Sequence, residues 1–455
     1  MQNEDVDTEG ELFDPTKADN YARHLAKVNE SKTVIATEDI LNDQNAILVK
    51  AGAQIDARTT ERIVKFKLLR PIEESVAIEG DVDGATLRKD MDNLIAQSLN
   101  AQRIHQHFKL DSVIKPLCDY YQSFPILRQK ITVLSMQLNR VYLQSLFGAW
   151  LASAIGCQMR LSDEEQENLF IAAIAHDIGK LHINESVLEK EGALSPEEWR
   201  QIYAHPIIGE KILSNIDRIP AAAVCAVREH HERCDGTGYP SGKKGGSLQR
   251  YGQIIAMADT AAAVLARMRD EGRGFRDLMP ILQINSHAHF EGVYDALILI
   301  LRKAELGNDG VVPGSDMPAF IDDLIKTDKL LSACYNAVHE PLNALGRDHQ
   351  DRKLSAIQAV VTNISTGVRG TGILDEGYLR FLDQVKADSL AFAYREIEDV
   401  AIMLGELQFQ FKRLVRLIRD YLELQPRDQA VADTLKTILE NISGIGCLED
   451  AHCAR

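Results

Sequence analysis

Between residues 163 and 268 the chain spells a run of helical patterns, several of which place a histidine or an aspartate near an end or inside an apolar face. His176 and Asp177 close one helix, whose apolar positions include Leu169, Ala172, Ala173 and Ala175. His205 opens another 29 residues later, and 25 residues further the segment PAAAVCAVREHHER presents His230 and His231. Asp259 follows after 28 more, within IIAMADTAAAVL. A carboxylate set among Ile, Met and Ala needs a partner if it is buried. Asp259 can find one by capping or by pairing with an arginine, and a His-Asp dipeptide alone is compatible with a structural role. Six such residues on four helices are another matter. Helices of this length can converge them on one interior point, where a shared cation would account for them all.

The histidine pair is followed by Asp235-Gly236-Thr237-Gly238-Tyr239-Pro240. Read alone this is a turn, with glycines that allow positive φ and a proline that stiffens the exit. Read with the histidines, it is a loop able to set backbone and the Tyr239 ring beside them. A net charge of -16 disfavours nucleic-acid polymers as partners. An anionic substrate would then require a local cation, and a bound metal supplies one.

The composition, 45% hydrophobic and 26% charged, is that of a soluble globular protein. No apolar run is long enough to span a bilayer. The first fourteen residues hold six Asp or Glu and no Lys or Arg, the opposite of an export or transit signal, so the expected location is the cytoplasm. Seven cysteines without regular spacing argue against a disulfide framework. Cys447, His452 and Cys453 are too few for a zinc site and read as a chain end.

Along the chain, residues 1–18 read as a disordered acidic tail. Residues 19–80 read as a small α+β module. In it TVIATEDI and AILVKAGAQI form a hairpin across Asn42-Asp43-Gln44, and DARTTERIVKF forms a helix. Residues 81–125 are a helical connector, 126–305 a helical domain, and 306–315 a linker. Residues 316–455 are a helical bundle, with a long helical pattern from Gly377 to about Leu424. Ser162 and Ser195 begin capping boxes, and Pro206 and Pro220 open helices. The expected fold class is mostly α.

HDIGK, HPIIG, HHERCDGTGYP and the aspartate of AMADT, closed by HFEGVYDALI, together resemble the HD-GYP subgroup of the HD phosphohydrolases over residues 126–303. The hairpin-plus-helix module also looks like the amino-terminal piece of many such proteins. The resemblance implies an all-helical catalytic domain that hydrolyses cyclic di-GMP to pGpG and, on further hydrolysis, GMP. It implies two divalent ions, iron or manganese, held by His176, Asp177, His205, His230, His231 and Asp259. Asp177 would bridge the ions and Lys180 would meet the scissile phosphate, although a lysine at a helix end also suits the helix dipole without any catalytic role. Asp235, Gly236, Gly238, Tyr239 and Pro240 would line the substrate site, and a mixed imidazole–carboxylate set suits iron or manganese.

The chain departs from the family at two places. There is no histidine from Phe108 to Ala175, and the helix expected from Ile126 to Gly156 holds no Asp or Glu. The family's upstream ligand would fall near Arg140 or Gln144. The family's aromatic and basic stretch after the last aspartate is replaced by AVLARMR, where Arg267 or Arg269 could bind phosphate. Two readings follow: an active phosphodiesterase, or a degenerate member that binds nucleotide or a protein partner. The bundle's amphipathic length suggests a homodimer or a signalling partner.

Overall fold

The computed structural model describes residues 13–17, 20–192, 194–288, 290–307, 310–345, 351–424, 426 and 428–445. Most of the expected acidic tail, and Cys447, His452 and Cys453, lie outside these. The protein is mostly helical. Its contacts divide it into two compact units, one comprising Met1–Glu232, Tyr239–Ser241 and Leu248–Ala263, the other Arg233–Gly238, Gly242–Ser247 and Val264–Arg455. Within the helix Arg250–Met268 the division falls at Ala263.

In the first unit, α1 (Asn20–Asn29) precedes a small β module. Strands β1 (Val34–Ala36), β2 (Ile40–Leu41), β3 (Ile47–Val49) and β4 (Val76–Ile78) surround α2 (Ala57–Ile63), which Asp56 caps. The expected hairpin is shorter than the sequence suggested. Only β2 and β3 pair across the turn, where Asn42 Oδ1 accepts from the amides of Gln44 and Ala46. β1 pairs instead with β4, Val34 opposite Ile78, because β4 supplies an antiparallel edge that the local pattern does not reveal.

Helices α3 (Gly84–Ala96), α4 (Leu99–His107), α5 (Asp111–Tyr121), α6 (Pro125–Gln137), α7 (Asn139–Gln158) and α8 (Asp163–Ala175) follow. The single helix expected from Ile126 to Gly156 is broken at Leu138, whose φ of -130° and ψ of 56° are not helical. α7 packs on α8. In α8 every residue from Leu169 to Ala175 is buried, so the second half of the helix lies wholly in the core. Then come a 3-10 turn (Ile178–His182), α9 (Glu185–Leu188), α10 (Pro196–Tyr203), α11 (His205–Ser214), α12 (Ala221–Glu229) and α13 (Arg250–Met268), the last running into the second unit. Both capping boxes form, Ser162 with Glu165 and Ser195 with Glu198.

The second unit contains α14 (Leu278–Ile284), α15 (Glu291–Lys303), α16 (Met317–Ala344), α17 (Arg352–Thr371), α18 (Glu376–Asp388), α19 (Tyr394–Glu423) and α20 (Gln429–Ile445) around a continuous apolar core. The long helix expected from Gly377 to Leu424 is in fact α18 and α19. Ser389 caps α18 in the left-handed region at φ 51°, and the 3-10 turn Ala391–Ala393 separates the two. Both segments keep the same helical period, so the pattern alone did not reveal the break. No helix among the described residues is long and apolar enough to cross a membrane.

Candidate metal centre

The core helix α8 delivers His176 as its final cap and Asp177 just beyond, both 1% exposed. The chain then turns tightly because residue 179 is glycine. A Cβ there would sit 2.1 Å from the His205 carbonyl oxygen and 3.0 Å from the Gly209 amide nitrogen. That close approach lets the 3-10 turn lie on the start of α11, where His205 is the first residue. His230 caps the end of α12. The sequence-predicted ligands are thus brought together. One ligand atom from each of Asp177, His205, His230 and His231 lies within 4.8 Å of the others. His176 Nε2 is 3.4 Å from Asp177 Oδ2 and 3.8 Å from Asp259 Oδ1.

Three imidazoles are held the same way. Nδ1 of His176, His205 and His230 lies 2.8, 2.7 and 2.6 Å from the carbonyl oxygens of Ala173, Ile202 and Val227. A carbonyl only accepts, so each Nδ1 carries the proton and donates it. In a neutral ring Nε2 is then a bare lone pair. Yet His205 Nε2 faces His230 Nε2 at 3.2 Å, and Asp177 Oδ1 is 3.2 Å from His205 Nε2. Acceptors meeting acceptors, in a place without solvent, repel. His176 Nε2 and Asp177 Oδ1 are buried without a well-formed hydrogen bond. Imidazoles anchored at Nδ1 with Nε2 converging on a carboxylate form the donor set a divalent cation requires.

The protonation states agree. Burial holds His205 below its ordinary pKa, and burial together with the charges of His176 and His205 holds His230 well below. Burial opposes the charge on His176 too, but the carboxylates of Asp177 and Asp259 outweigh it and push its pKa up to about 10. Asp177 stays well below the usual carboxylate range: burial would raise it, but Lys180, His176 and His205 prevail. Asp259 is drawn down to about 2, chiefly by His176 acting against burial.

At the place where an upstream ligand was sought, Gln144 donates from Nε2 to Asp259 Oδ1 at 2.6 Å. An amide therefore occupies that position. Lys180 Nζ sits 2.6 Å from Asp177 Oδ2 with its side chain 18% exposed, bringing a positive charge to the edge of the cluster. The turn is braced from behind by Lys130, fully buried, whose Nζ lies 3.3 Å from His182 Nε2 and 3.1 Å from Glu73 Oε1. The sequence reading missed two buried carboxylates beside the histidine pair. Glu229 accepts from the Gln249 amide and Glu232 from the Ser241 amide, which fixes the chain leaving the pair. Their flanking of both histidines in REHHER was the available signal.

The loop residues divide between the two units. Tyr239 stacks on His231, centroids 4.6 Å apart, and its amide donates to the His231 carbonyl; Pro240 follows through a cis peptide bond. Asp235, Gly236 and Gly238 belong to the second unit, where Asp235 accepts from Thr237 and Asn363. Gly236 takes φ 78°, while Gly238 has no positive φ. Arg267 also lies in the second unit, 3.6 Å from Glu406 and over the Phe409 ring, and Arg269 opens a short 3-10 turn there.

Comparison with known proteins agrees with this geometry. A family model described as the HD domain matches residues 126–292. A 3'3'-cGAMP-specific phosphodiesterase (number 3) of Vibrio cholerae serotype O1 is 39% identical over 127 residues, 28% of this chain and 26% of that protein. A cyclic di-GMP phosphodiesterase of Thermotoga maritima is 39% identical over 120 residues, 26% of this chain and 32% of that protein. A further 3'3'-cGAMP-specific phosphodiesterase (number 1) of Vibrio cholerae is 27% identical over 241 residues, 50% of this chain and 55% of that protein. The chain thus spans between about a quarter and about half the length of these relatives. The converged histidines and aspartates and the matched segment agree: residues 126–292 of this chain match the HD domain.

Proposed function

We propose that the chain is a metal-dependent phosphodiesterase that opens cyclic di-GMP with water to give pGpG and, on further hydrolysis, GMP. The observation that carries this reading is convergence: one ligand atom from each of Asp177, His205, His230 and His231 lies within 4.8 Å of the others, with Nδ1 of His205 and His230 held by backbone carbonyls. Asp177, His205, His230 and His231 would hold one cation; His176, Asp177 and Asp259 would contribute to a second, with Asp177 shared. The nitrogen and oxygen donors suit iron or manganese. Such a cation supplies Lewis acidity, lowering the pKa of water and polarising a phosphoryl oxygen. Lys180 adds positive charge where the transition state gathers negative charge. Within the first unit, Tyr239 and Pro240 contribute to the substrate site beside Lys180. On this reading the protein would act in the cytoplasm, and the helical second unit would serve a second copy or a signalling partner.

The Gln144–Asp259 hydrogen bond favours a second reading, in which the second cation is weakly held and the protein binds the nucleotide without turning it over. One assay separates the two. Turnover of cyclic di-GMP and 3'3'-cGAMP is measured under reducing, iron-supplemented conditions beside Asp177→Ala. Hydrolysis by the natural chain alone supports the enzyme; equal rates end that reading.

A further inference from the structure

The far end of the metal-bearing turn is held by the amino-terminal part of the same unit. The 3-10 turn follows Asp177 directly and ends at His182. The His182 ring stacks on Tyr21, centroids 5.4 Å apart, and meets Phe13 edge-on at 4.8 Å. Its carbonyl oxygen accepts from Asn20 Nδ2 at 3.2 Å, across 162 positions of the chain. Lys130 Nζ, from α6, lies 3.3 Å from His182 Nε2, 3.3 Å from the centre of the Tyr21 ring and 3.1 Å from Glu73 Oε1. A carboxylate and an aromatic face both favour an ammonium, and an ammonium only donates, so His182 Nε2 is the acceptor. Glu73 lies in the short turn Ile72–Glu74 of the β module. Gln129, beside Lys130, donates to the carbonyls of Glu73 and Val76 and accepts from the Tyr21 hydroxyl.

Core packing alone would need no charge at this place. A lysine and a glutamate buried together are costly to desolvate, yet both converge behind His182. The turn between His182 and Asp177 is short and tied to itself. The Lys180 amide donates to the Asp177 carbonyl at 3.0 Å and the Ile183 amide to the Lys180 carbonyl at 3.1 Å. Such a segment rises only about 2 Å per residue and moves as one piece. Where His182 is held therefore decides where the Lys180 ammonium and the Asp177 carboxylate stand. We propose that His182 is a positioning residue for Lys180 and Asp177, and that the amino-terminal module gripping it is a working part of the metal centre. The role of Lys180 rests on the phosphodiesterase reading; that of Asp177 rests on metal binding alone.

Lys130→Ala would strand the buried Glu73, so His182 is the residue to vary. The full-length metal-free protein is titrated with manganese by calorimetry. His182→Ala should weaken binding by about tenfold or more, as losing the support of a ligand does. His182→Gln keeps an acceptor for Lys130 and should recover most of the affinity. In the turnover assay at saturating manganese, His182→Ala should lower kcat by about tenfold, the consequence of a small misplacement at the reacting centre. In a Lys180→Ala background the same substitution should change kcat by no more than about twofold, because a residue acting through Lys180 has nothing left to act on. An equal loss of kcat in both backgrounds marks a merely structural residue and overturns the positioning role. Unchanged manganese affinity in His182→Ala overturns it as well. A natural chain that hydrolyses no cyclic dinucleotide sinks the phosphodiesterase reading, and the manganese titration then decides the role of His182 by itself. Should His182→Ala not fold, Asn20→Ala takes one bond from the His182 carbonyl and should weaken manganese binding in the same direction; affinity equal to that of the natural chain would overturn the positioning role.

Discussion

Each unit buries a cluster of charged side chains, and the two clusters resolve the cost of burial in opposite ways. In the second unit Arg273, Arg276 and Arg395 meet Asp277, Glu398 and Asp399. Arg276 grips Asp399 with two bonds of 3.0 and 2.6 Å, and Glu398 also accepts the amides of Val311 and Val312 at 3.0 and 3.1 Å. Positive and negative charges balance within the cluster. In the first unit the buried groups are overwhelmingly acceptors, with Lys180 and a charged His176 as the cations. Lone pairs of His205, His230 and Asp177 point at one another. A cluster that closes on itself is structural. One that leaves its acceptors opposed is built for a cation from outside.

The comparison breaks most readily at Asp177. Asp177→Ala should abolish stoichiometric metal, measured on the purified protein, and lower turnover by more than about 100-fold, since even indirect supports of a metal cost 10- to 100-fold. Full metal content in that variant would remove the contrast between the clusters. In the second unit Glu398→Ala strands buried arginines and should destabilise that unit by about 3–5 kcal/mol in denaturant unfolding. Metal content should not change, and a loss of metal there would mean the clusters are not separate in function. Gly179→Ala pushes a methyl group into the His205 carbonyl and should cost about 1–3 kcal/mol, with weaker metal retention as the turn lifts from α11. Gln144→Ala takes one bond from Asp259 and should cost about 1–3 kcal/mol. The ion held by Asp177, His205, His230 and His231 should remain, so metal analysis would show at most the second ion lost.

A further test is the pH profile of the metal-free protein, read as melting temperature. His176, held at about 10, stabilises the fold below its ordinary 6.5 and loses that contribution as pH climbs toward 10. His205 and His230, held below 6.5, act the other way: as pH falls through 6.5 the unfolded chain takes up protons that the fold refuses, and stability declines. The two trends place the maximum near pH 6.5. Asp177, already ionised throughout, contributes no slope above pH 5. A profile that rises steadily from pH 6.5 to 10 would show that His176 is not held charged by Asp177 and Asp259.

Much of the centre was legible in the sequence. Helix starts follow from local chemistry, so Ser162 and Ser195 announced α8 and α10. The ligands are read as a set because each lies at a helix end or in an apolar face. The Nδ1 anchors are local as well, each imidazole reaching a carbonyl three residues back. Tertiary structure decided what depends on distant partners. The pairing of β1 with β4, the buried Lys130 behind His182, and the Gln144 amide on Asp259 across 115 residues leave no periodic trace along the chain. The same holds for the grip of Asn20 and Tyr21 on His182. Helical propensity and capping act over one or two turns, which sequence spacing encodes. Which side chains meet across the interior depends on how finished helices pack, and that exists only in three dimensions.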